Sequence, residues 1–355
     1  MYTRETEPSP DSFVRSKKPV FGTFEGHAER LDIRGVFKPY GTLPLPTFIT
    51  NLRIKSRLVY IFSIGEYLGS IQFLDAKIFG MAEVCFWNTR TRQKYVYRSV
   101  MGPRKRFVPH SLNLAATTSY RKSRYIRISW DRKNNRLSMI FDLKGDSARP
   151  RANAALSSTF DSGQFSELTC VIPAPTLRRS SASYYAMFPL SGAVNLIFPN
   201  GEFQAMQKQD GVSFLDINRT YMKFRSHGEV ITCLSNLDGK LLSLRLKSTS
   251  HDAVNPNAYN ANVLFYDGKP TPLPPVVITH HYGLMNQWII QDTENMVDLT
   301  FTPCSENINK LSVVILRAVT HTIYGTLEGV VCTSSGEKIS IKSLPCLTEN
   351  YLIRL

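Results

Sequence analysis

Short runs of β-branched and aromatic residues recur along the whole chain, and they alternate with polar residues instead of following a helical period. In residues 1–180 these runs are Arg57–Ile64, Tyr67–Leu74, Met81–Trp87, Tyr125–Trp130 and Leu137–Leu143. In residues 181–355 they are Ala193–Phe198, Glu229–Leu234, Leu241–Leu246, Asn262–Tyr266, Val297–Phe301, Leu311–Leu316, Thr322–Val331 and Lys338–Ile341. Hairpin turn signals separate them: Asn134-Asn135, Asn200-Gly201, Asp238-Gly239, Asp267-Gly268 and Ser335-Gly336. This pattern is typical of barrels and sandwiches, so we predict an all-β fold.

The 355 residues are long for one hydrophobic core and sufficient for two. Prolines, arginines and serines interrupt the strand pattern between Pro173 and Tyr184. We therefore place a domain boundary there. The prediction is a flexible N-terminal segment over 1–20, a first β-barrel-like domain over 21–180 and a second over 181–355, the two consecutive antiparallel domains being packed together.

Three features bear on the compartment in which the chain works. Its six cysteines lie far apart without a C-x-x-C motif, which indicates reduced, mostly buried thiols. The polar segment 1–18 has no apolar core of the kind found in secretory signals. The best apolar stretch, Tyr184–Phe198, contains Pro189, Gly192 and Asn195 and is shorter than the roughly 20 residues of a membrane span. We expect a cytoplasmic protein.

Positive charge is concentrated in the first half of the chain. Residues 1–180 carry 30 basic and 14 acidic side chains, whereas residues 181–355 carry 13 and 14. Between Arg90 and Arg136, Asp131 is the single acid among 14 basic residues and interleaved aromatic ones. Such a block can rest on an anionic membrane or track the phosphates and bases of a nucleic acid, or it can simply be a solvated barrel face. The candidate anionic-surface residues are Arg104, Lys105, Arg106, Arg121, Lys122 and Arg124.

Standard catalytic and cofactor motifs are absent from the sequence, including G-x-S-x-G, G-x-x-x-x-G-K-[ST], G-x-G-x-x-G and H-E-x-x-H. His280 and His281 are adjacent, so on a strand their side chains point to opposite faces and do not readily bind one metal. We predict neither a metal site nor a bound cofactor.

Asp216 and Arg219 form the most suggestive charged pair, because both lie in the mainly apolar run Val212–Arg219. Strand residues three apart face opposite sides, so the two side chains meet only if a bulge or turn occurs at Ile217-Asn218. If they meet in a cavity, the pair could orient a polar group of a ligand. The alternative is a buried salt bridge that fixes a strand crossing.

Several blocks in order resemble the bacterial family called domain of unknown function 2804. They are Gly26–Arg30, Arg53–Lys55, Tyr67–Gly69, Phe73–Asp75, Leu215–Thr220 and Leu264–Lys269. The last block reads L-F-Y-D-G-K, as in the family, and is the most specific. Asp216 and Arg219 match the family's L-D-W-G-R-G, but Ile217, Asn218 and Thr220 replace its tryptophan and two glycines.

The resemblance implies a tandem lipocalin-like fold with no assigned activity. Closed barrels and spaces between domains are usual ligand sites. We therefore expect binding of a hydrophobic or amphipathic, lipid-like small molecule, with Asp216, Arg219 and Lys55 as polar contacts. Two alternatives stay open at this point: a hydratase- or isomerase-type enzyme that uses Asp216, and binding of nucleic acid through Arg90–Arg136.

Overall fold

The computed structural model describes residues 4–41, 45–104, 107–121, 123–313 and 316–354. Apart from one short helix, α1 (Thr47–Leu52), its regular elements are β-strands. The predicted all-β class is confirmed. At six residues α1 cannot cross a bilayer, and no helix among the described residues is long and apolar enough to do so.

The first sheet has 14 strands and takes up the chain as far as Tyr221. The strands of this part are β1 (Glu7–Pro8), β2 (Val14–Arg15), β3 (Lys18–Pro19), β4 (Gly22–Glu25), β5 (Ile54–Ile64), β6 (Tyr67–Asp75), β7 (Gly80–Asn88), β8 (Lys94–Met101), β9 (Leu114–Arg121), β10 (Arg124–Asp131), β11 (Arg136–Leu143), β12 (Arg151–Thr159), β13 (Ser166–Thr176), β14 (Arg179–Ile197), β15 (Phe203–Gln204) and β16 (Gln209–Tyr221). Of these, β2 and β3 form a separate hairpin. The main order, β8-β7-β6-β5-β16-β14-β12-β11-β10-β9, curls into a nearly closed barrel.

Arginines bridge the seam between the two end strands of this barrel, β8 and β9. The Arg121 Nη1 donates a hydrogen bond to the Val100 carbonyl at 2.6 Å, and Arg149 Nη1 donates to the Val96 carbonyl at 2.8 Å. Arg124 Nη1 donates to the carbonyl of Arg98, between them. An edge strand exposes every second carbonyl, and these side chains satisfy three successive ones on β8.

The second sheet has nine strands and forms a half-barrel. Its order is β20-β19-β18-β17-β25-β24-β23-β22-β21. The strands are β17 (Arg225–Leu237), β18 (Lys240–Thr249), β19 (Val263–Tyr266), β20 (Lys269–Pro272), β21 (Val277–His280), β22 (Trp288–Gln291), β23 (Val297–Val313), β24 (Leu316–Cys332) and β25 (Lys338–Arg354). The Asp267-Gly268 turn joins β19 to β20, as its sequence predicts, with both residues at positive φ.

Strand alternation sorts the buried residues into separate cores. On β5, Leu58, Tyr60 and Phe62 point into the barrel, while Val59 and Ile61 point towards the second sheet. The barrel interior is filled with aromatic and aliphatic side chains, among them Phe86 and Trp130. A third cluster, which includes Trp87, Tyr185, Phe214, Phe265 and Leu347, packs between the two sheets.

The sheet topology does not follow the predicted domain boundary at 180/181, and the division into domains stays a prediction. Sheet membership changes between Tyr221 and Arg225, not at 180/181, because the interruption around Leu177 is the hairpin turn between β13 and β14. In the segment predicted to be flexible, β1 pairs with β4, and most of the described side chains are at least partly exposed. Phe13 lies in the barrel core, where its ring centroid is 5.8 Å from that of Phe24. Residues 1–3 lie outside the described ranges.

One predicted strand, Leu311–Leu316, spans the connection between two strands. Val313 pairs with Leu316, so the run belongs partly to β23 and partly to β24, and residues 314–315 lie outside the described ranges. The run contains no glycine, proline, asparagine or aspartate that would have marked the reversal.

Gly69 on β6 supplies a test of the barrel packing. It pairs with Phe62 on one side and Phe86 on the other, and a Cβ built there would touch the Phe86 Cβ and lie 2.7 Å from Phe62 Cζ. We expect Gly69→Ala to lower the free energy of unfolding by about 1–3 kcal/mol, because the core is overpacked. Urea denaturation measures this change. Gly163→Ala, which meets nothing within 4 Å, is the control and should leave the value nearly unchanged.

Candidate functional site

A cleft opens between the two sheets, lined by the faces of β5 and β16 that point away from the barrel core. It holds about 1520 Å³ of space not filled by atoms, its open mouth included. The interface cluster that contains Trp87 and Phe214 packs the space between the sheets beyond it. The lining of the cleft mixes polar and charged side chains with apolar ones. The apolar ones are Val59, Leu74, Ala76, Phe79, Met81, Ile172, Met222, Val230, Ala261, Leu311, Ala318 and Ile353.

Asp216 forms the centre of the polar part of the cleft. Its side chain is 4% exposed, and its Oδ2 accepts a hydrogen bond from Arg245 Nη2 at 2.5 Å. Lys247 Nζ lies 3.4 Å from the same oxygen. Arg245 also donates to the Thr232 hydroxyl. Since Asp216 is on β16 and the two cations are on β18, this cluster joins the first sheet to the second.

A second ion pair crosses between the sheets beside the first. Arg57 on β5 donates to both carboxylate oxygens of Glu349 on β25, at 2.8 and 2.6 Å. The Gln72 side-chain oxygen accepts from Arg57 at 2.8 Å, and the Gln72 amide donates to Glu83 at 3.1 Å. A bidentate contact of this kind fixes both partners in orientation as well as distance.

Neighbouring cations keep two acids of the cleft, Asp216 and Glu349, ionised. Burial alone would raise the pKa of Asp216, but the charges of Lys247 and Arg245 outweigh it and hold the pKa below its usual value. Burial likewise opposes ionisation of Glu349, and Arg57 holds its pKa low. The pKa of Lys247 is lowered, because burial outweighs the attraction of Asp216.

One oxygen of this network has no partner. Among the described residues, no donor lies within hydrogen-bonding distance of Asp216 Oδ1, although the atom is buried and the carboxylate lines the cleft. A buried ionised oxygen normally accepts at least one hydrogen bond. Asp216 Oδ1 is thus an acceptor that no described donor uses, on a carboxylate that belongs to the cleft lining, although the atom itself is closed off from solvent.

The predicted pairing of Asp216 with Arg219 is wrong. β16 pairs with β14 and β5 without a register shift, so no bulge brings the two side chains to one face. Arg219 points into the barrel instead and is 1% exposed. Its guanidinium donates to the Ser56 hydroxyl at 2.6 Å and to the carbonyls of Val108 and Pro109 at 2.9 and 2.6 Å.

Lys55, the third predicted contact, lies in the lining of the cleft at the start of β5. Its ammonium donates to the carbonyls of Leu52 and Ala76, at 3.1 and 2.5 Å. Burial and the nearby charges of Arg53 and Lys77 lower the pKa of Lys55 to about 8. A role for Lys55 in ligand contact stays a prediction.

Four charged residues of the cleft were missed by the sequence analysis: Arg57, Arg245, Lys247 and Glu349. Arg57 and Arg245 had a visible signal, because each is a charged residue within a run predicted as a buried strand. Glu349 had none, since its partner Arg57 is 292 positions away.

The predicted anionic surface is only partly covered by the described residues. Lys105, Arg106 and Lys122 lie outside them. Arg121 and Arg124 are engaged at the barrel seam described above, and Arg104 Nη1 donates to the Thr118 carbonyl at 3.4 Å. The structure thus gives these three arginines a part in the closure of the barrel. Binding of an anionic partner by them stays a prediction.

The fold and the cleft define the class: two packed β-sheets, a nearly closed barrel and a half-barrel, of the lipocalin-like type. The crystal structure of a protein assigned as AttH from Nitrosomonas europaea matches 88% of this chain and 97% of its own, with a TM-score of 0.51 and 11% identity. This likeness concerns the fold alone.

The chain belongs to the family Domain of unknown function (DUF2804), which matches residues 44–355. Kievitone hydratase from Nectria haematococca aligns over 84% of this chain and 87% of its own, at TM-score 0.40 and 11% identity. The structure of CghA aligns over 85% and 88%, at TM-score 0.37 and 8% identity. A comparison with curated proteins found no match.

Because Asp216 balances two buried cations, we predict that neutralising it lowers the stability of the fold strongly. Asp216→Asn leaves Arg245 and Lys247 buried without their counter-charge, so we expect the free energy of unfolding to fall by about 3–5 kcal/mol. Chemical denaturation measures the loss. Asp142→Asn is the matched control, because it breaks an exposed pair with Arg151 that solvent screens, and we expect it to change stability little. Equal effects of the two substitutions would contradict a buried network.

The burial of His251 in the cleft lining leads us to predict that the free energy of unfolding depends on pH. Burial, with the charges of Lys223 and His227, lowers the pKa of His251 to about 4, and its Nε2 accepts from the Lys223 backbone N–H at 3.4 Å. Below the ordinary pKa of 6.5, His251 is protonated in the unfolded chain but stays neutral in the folded chain until the pH approaches 4. Stability contributed by neutral His251 is therefore lost between about pH 6.5 and 4.

We expect His251→Gln to flatten the fall of unfolding free energy over that range by at most about 1.4 kcal/mol per pH unit. Urea denaturation at a series of pH values measures the slope. His281→Gln, at an exposed position, should leave the slope as it is in the unaltered protein. A slope that is identical in all three proteins would rule out a buried neutral His251.

Proposed function

We propose that this protein binds a small amphipathic molecule in the inter-sheet cleft, with the polar group of the molecule at Asp216. The observation that carries the proposal is a cleft in which apolar side chains lie beside a buried, ionised carboxylate with one unsatisfied oxygen. Ligand sites are typically apolar concavities with a few well-placed polar groups that set orientation. The cleft has both parts.

The barrel interior is a poorer candidate for the site. Its inward positions carry large side chains, among them Tyr60, Phe62, Phe86 and Trp130, that pack against one another. A barrel filled in this way is a hydrophobic core and leaves little room for a ligand. This distribution favours the space between the sheets over the barrel itself.

The electrostatics of the cleft favour a particular kind of polar group. Because the pKa of Asp216 is held low, its Oδ1 is an acceptor and prefers a donor on the ligand. A cationic donor would be repelled by Arg245 and Lys247, which lie 2.5 and 3.4 Å from the other carboxylate oxygen. An uncharged donor, such as the hydroxyl of a long-chain or polycyclic alcohol, fits both conditions.

The geometry gives less support to the two alternatives. A hydratase or isomerase that used Asp216 as a proton donor would need a raised pKa, whereas the neighbouring cations lower it. Nucleic-acid binding through Arg90–Arg136 would compete with the seam, where Arg121 and Arg124 already donate to backbone carbonyls. Binding in the cleft needs no such rearrangement.

Blocking the cleft tests the proposal. Ala318 lines it on β24, and a tryptophan there would take up part of the space. We expect Ala318→Trp to weaken binding of a fluorescent long-chain alcohol at least about tenfold, measured by titration of the purified protein. Ala155→Trp, on the exposed face of β12, is the matched control and should bind as the unaltered protein does.

Two further measurements complete the test. The same titration with the corresponding alkane, which lacks the hydroxyl, should show weaker binding, because Asp216 Oδ1 would then stay unsatisfied. Native mass spectrometry and solvent extraction of the freshly purified protein should reveal a bound molecule of this type. If the unaltered protein carries none and binds neither probe, the proposal is wrong.

A further inference from the structure

Four exposed apolar side chains surround the mouth of the cleft. They come from three separate connections: Phe48 and Leu52 from α1, Ile78 from the turn between β6 and β7, and Phe224 from the link between the sheets. Phe48 is 68% exposed and Phe224 is 72% exposed. We call these four residues, together with the cations named below, the cleft rim.

Contacts show that these side chains share one end of the molecule. The Arg53 guanidinium lies 4.2 Å from the centroid of the Phe224 ring and directly follows Leu52 in the chain. Phe48, Leu52 and Lys77 line one small pocket, and Lys77 is the neighbour of Ile78. The cleft mouth is at the same end, since Lys55, Ala76 and Met222 belong to its lining.

Basic residues frame this apolar group. On the second sheet, Arg225 pairs in register with Arg354, which pairs in turn with Arg317, so three exposed arginines lie side by side across β17, β25 and β24. Like charges directly opposite on neighbouring strands repel one another. Arg53, Lys55 and Lys223 add to the row. The six basic residues of the cleft rim are therefore Arg53, Lys55, Lys223, Arg225, Arg317 and Arg354. In the described ranges, none of the six forms an ion pair with an acid.

We propose that the cleft rim docks on an anionic lipid bilayer, with its apolar side chains in the interfacial region and its cations against the lipid headgroups. An anionic leaflet attracts nearby basic residues and would relieve the repulsion along the arginine row. The exposed apolar side chains project from three separate connections, which suits a fluid surface better than a folded partner.

Docking in this orientation has a consequence for the cleft. Its mouth would face the bilayer, so an amphipathic molecule could pass between membrane and cleft without crossing water. The docking itself does not depend on the ligand proposal, because the rim and the cleft lining are largely different side chains. A failure of one leaves the other standing.

Vesicle flotation with the full chain tests the docking. The probes are vesicles of phosphatidylcholine alone and of phosphatidylcholine mixed with phosphatidylserine. We expect binding to the mixed vesicles only, with a loss on addition of salt because the attraction is screened. The double variant Phe48→Ser, Phe224→Ser should bind at least about tenfold more weakly, since each ring contributes apolar burial. Phe203→Ser, a residue 60% exposed on β15, is the matched control.

A charge series separates the rim from the basic first half of the chain. The triple variant Arg225→Gln, Arg317→Gln, Arg354→Gln should lose binding. The matched triple variant Arg127→Gln, Lys133→Gln, Arg136→Gln removes as many exposed charges from the barrel and should keep it. Thermal unfolding of each variant confirms that it is folded.

Two outcomes would overturn the proposal. One is that the unaltered protein fails to float with phosphatidylserine vesicles. The other is that the barrel triple variant or Phe203→Ser loses as much binding as the corresponding rim variant, since attraction would then be general and not located at the rim.

Discussion

The two sheets are joined by buried ion pairs, and the cleft depends on them. Asp216 and Arg57 belong to the first sheet, and their partners Arg245 and Glu349 belong to the second. A buried pair gains little net stability over an apolar contact, because desolvation offsets most of the attraction. Its geometric demands are strict, however, and two such pairs side by side allow few relative positions of the sheets.

The same charges give the cleft its chemical character. Cations next to Asp216 keep it ionised, so its carboxylate is a hydrogen-bond acceptor in a lining that also contains apolar side chains. This arrangement suits recognition of a hydroxyl better than proton donation. A carboxyl with a lowered pKa is almost entirely deprotonated at neutral pH, so it rarely has a proton to give. Binding and a bilayer-facing mouth would together describe a protein that exchanges amphipathic molecules with a membrane.

Basic side chains serve more than one purpose in this molecule. Arg121, Arg124 and Arg149 satisfy the free carbonyls of β8 and so help to close the barrel where no ladder hydrogen bonds do. Arg225, Arg317 and Arg354 lie in register without acidic partners among the described residues. A high count of basic residues in a segment therefore does not locate a binding surface. The position of basic residues relative to strand edges and to acidic side chains is more informative about where such a surface lies.

The sequence by itself determined the fold class, most of the strands and the sharp turn at Asp267-Gly268, because these follow from local alternation and turn chemistry. It also placed Asp216 and Arg219 three apart, which on a regular strand sends them to opposite faces, and β16 contains no bulge that would bring them together. Only the tertiary structure decided which face meets the cleft and which partners meet there. Arg57 and Glu349, 292 positions apart, come together because two distant sheets pack. Periodicity along a chain encodes the two faces of a strand, but it carries no information about which distant face each will contact.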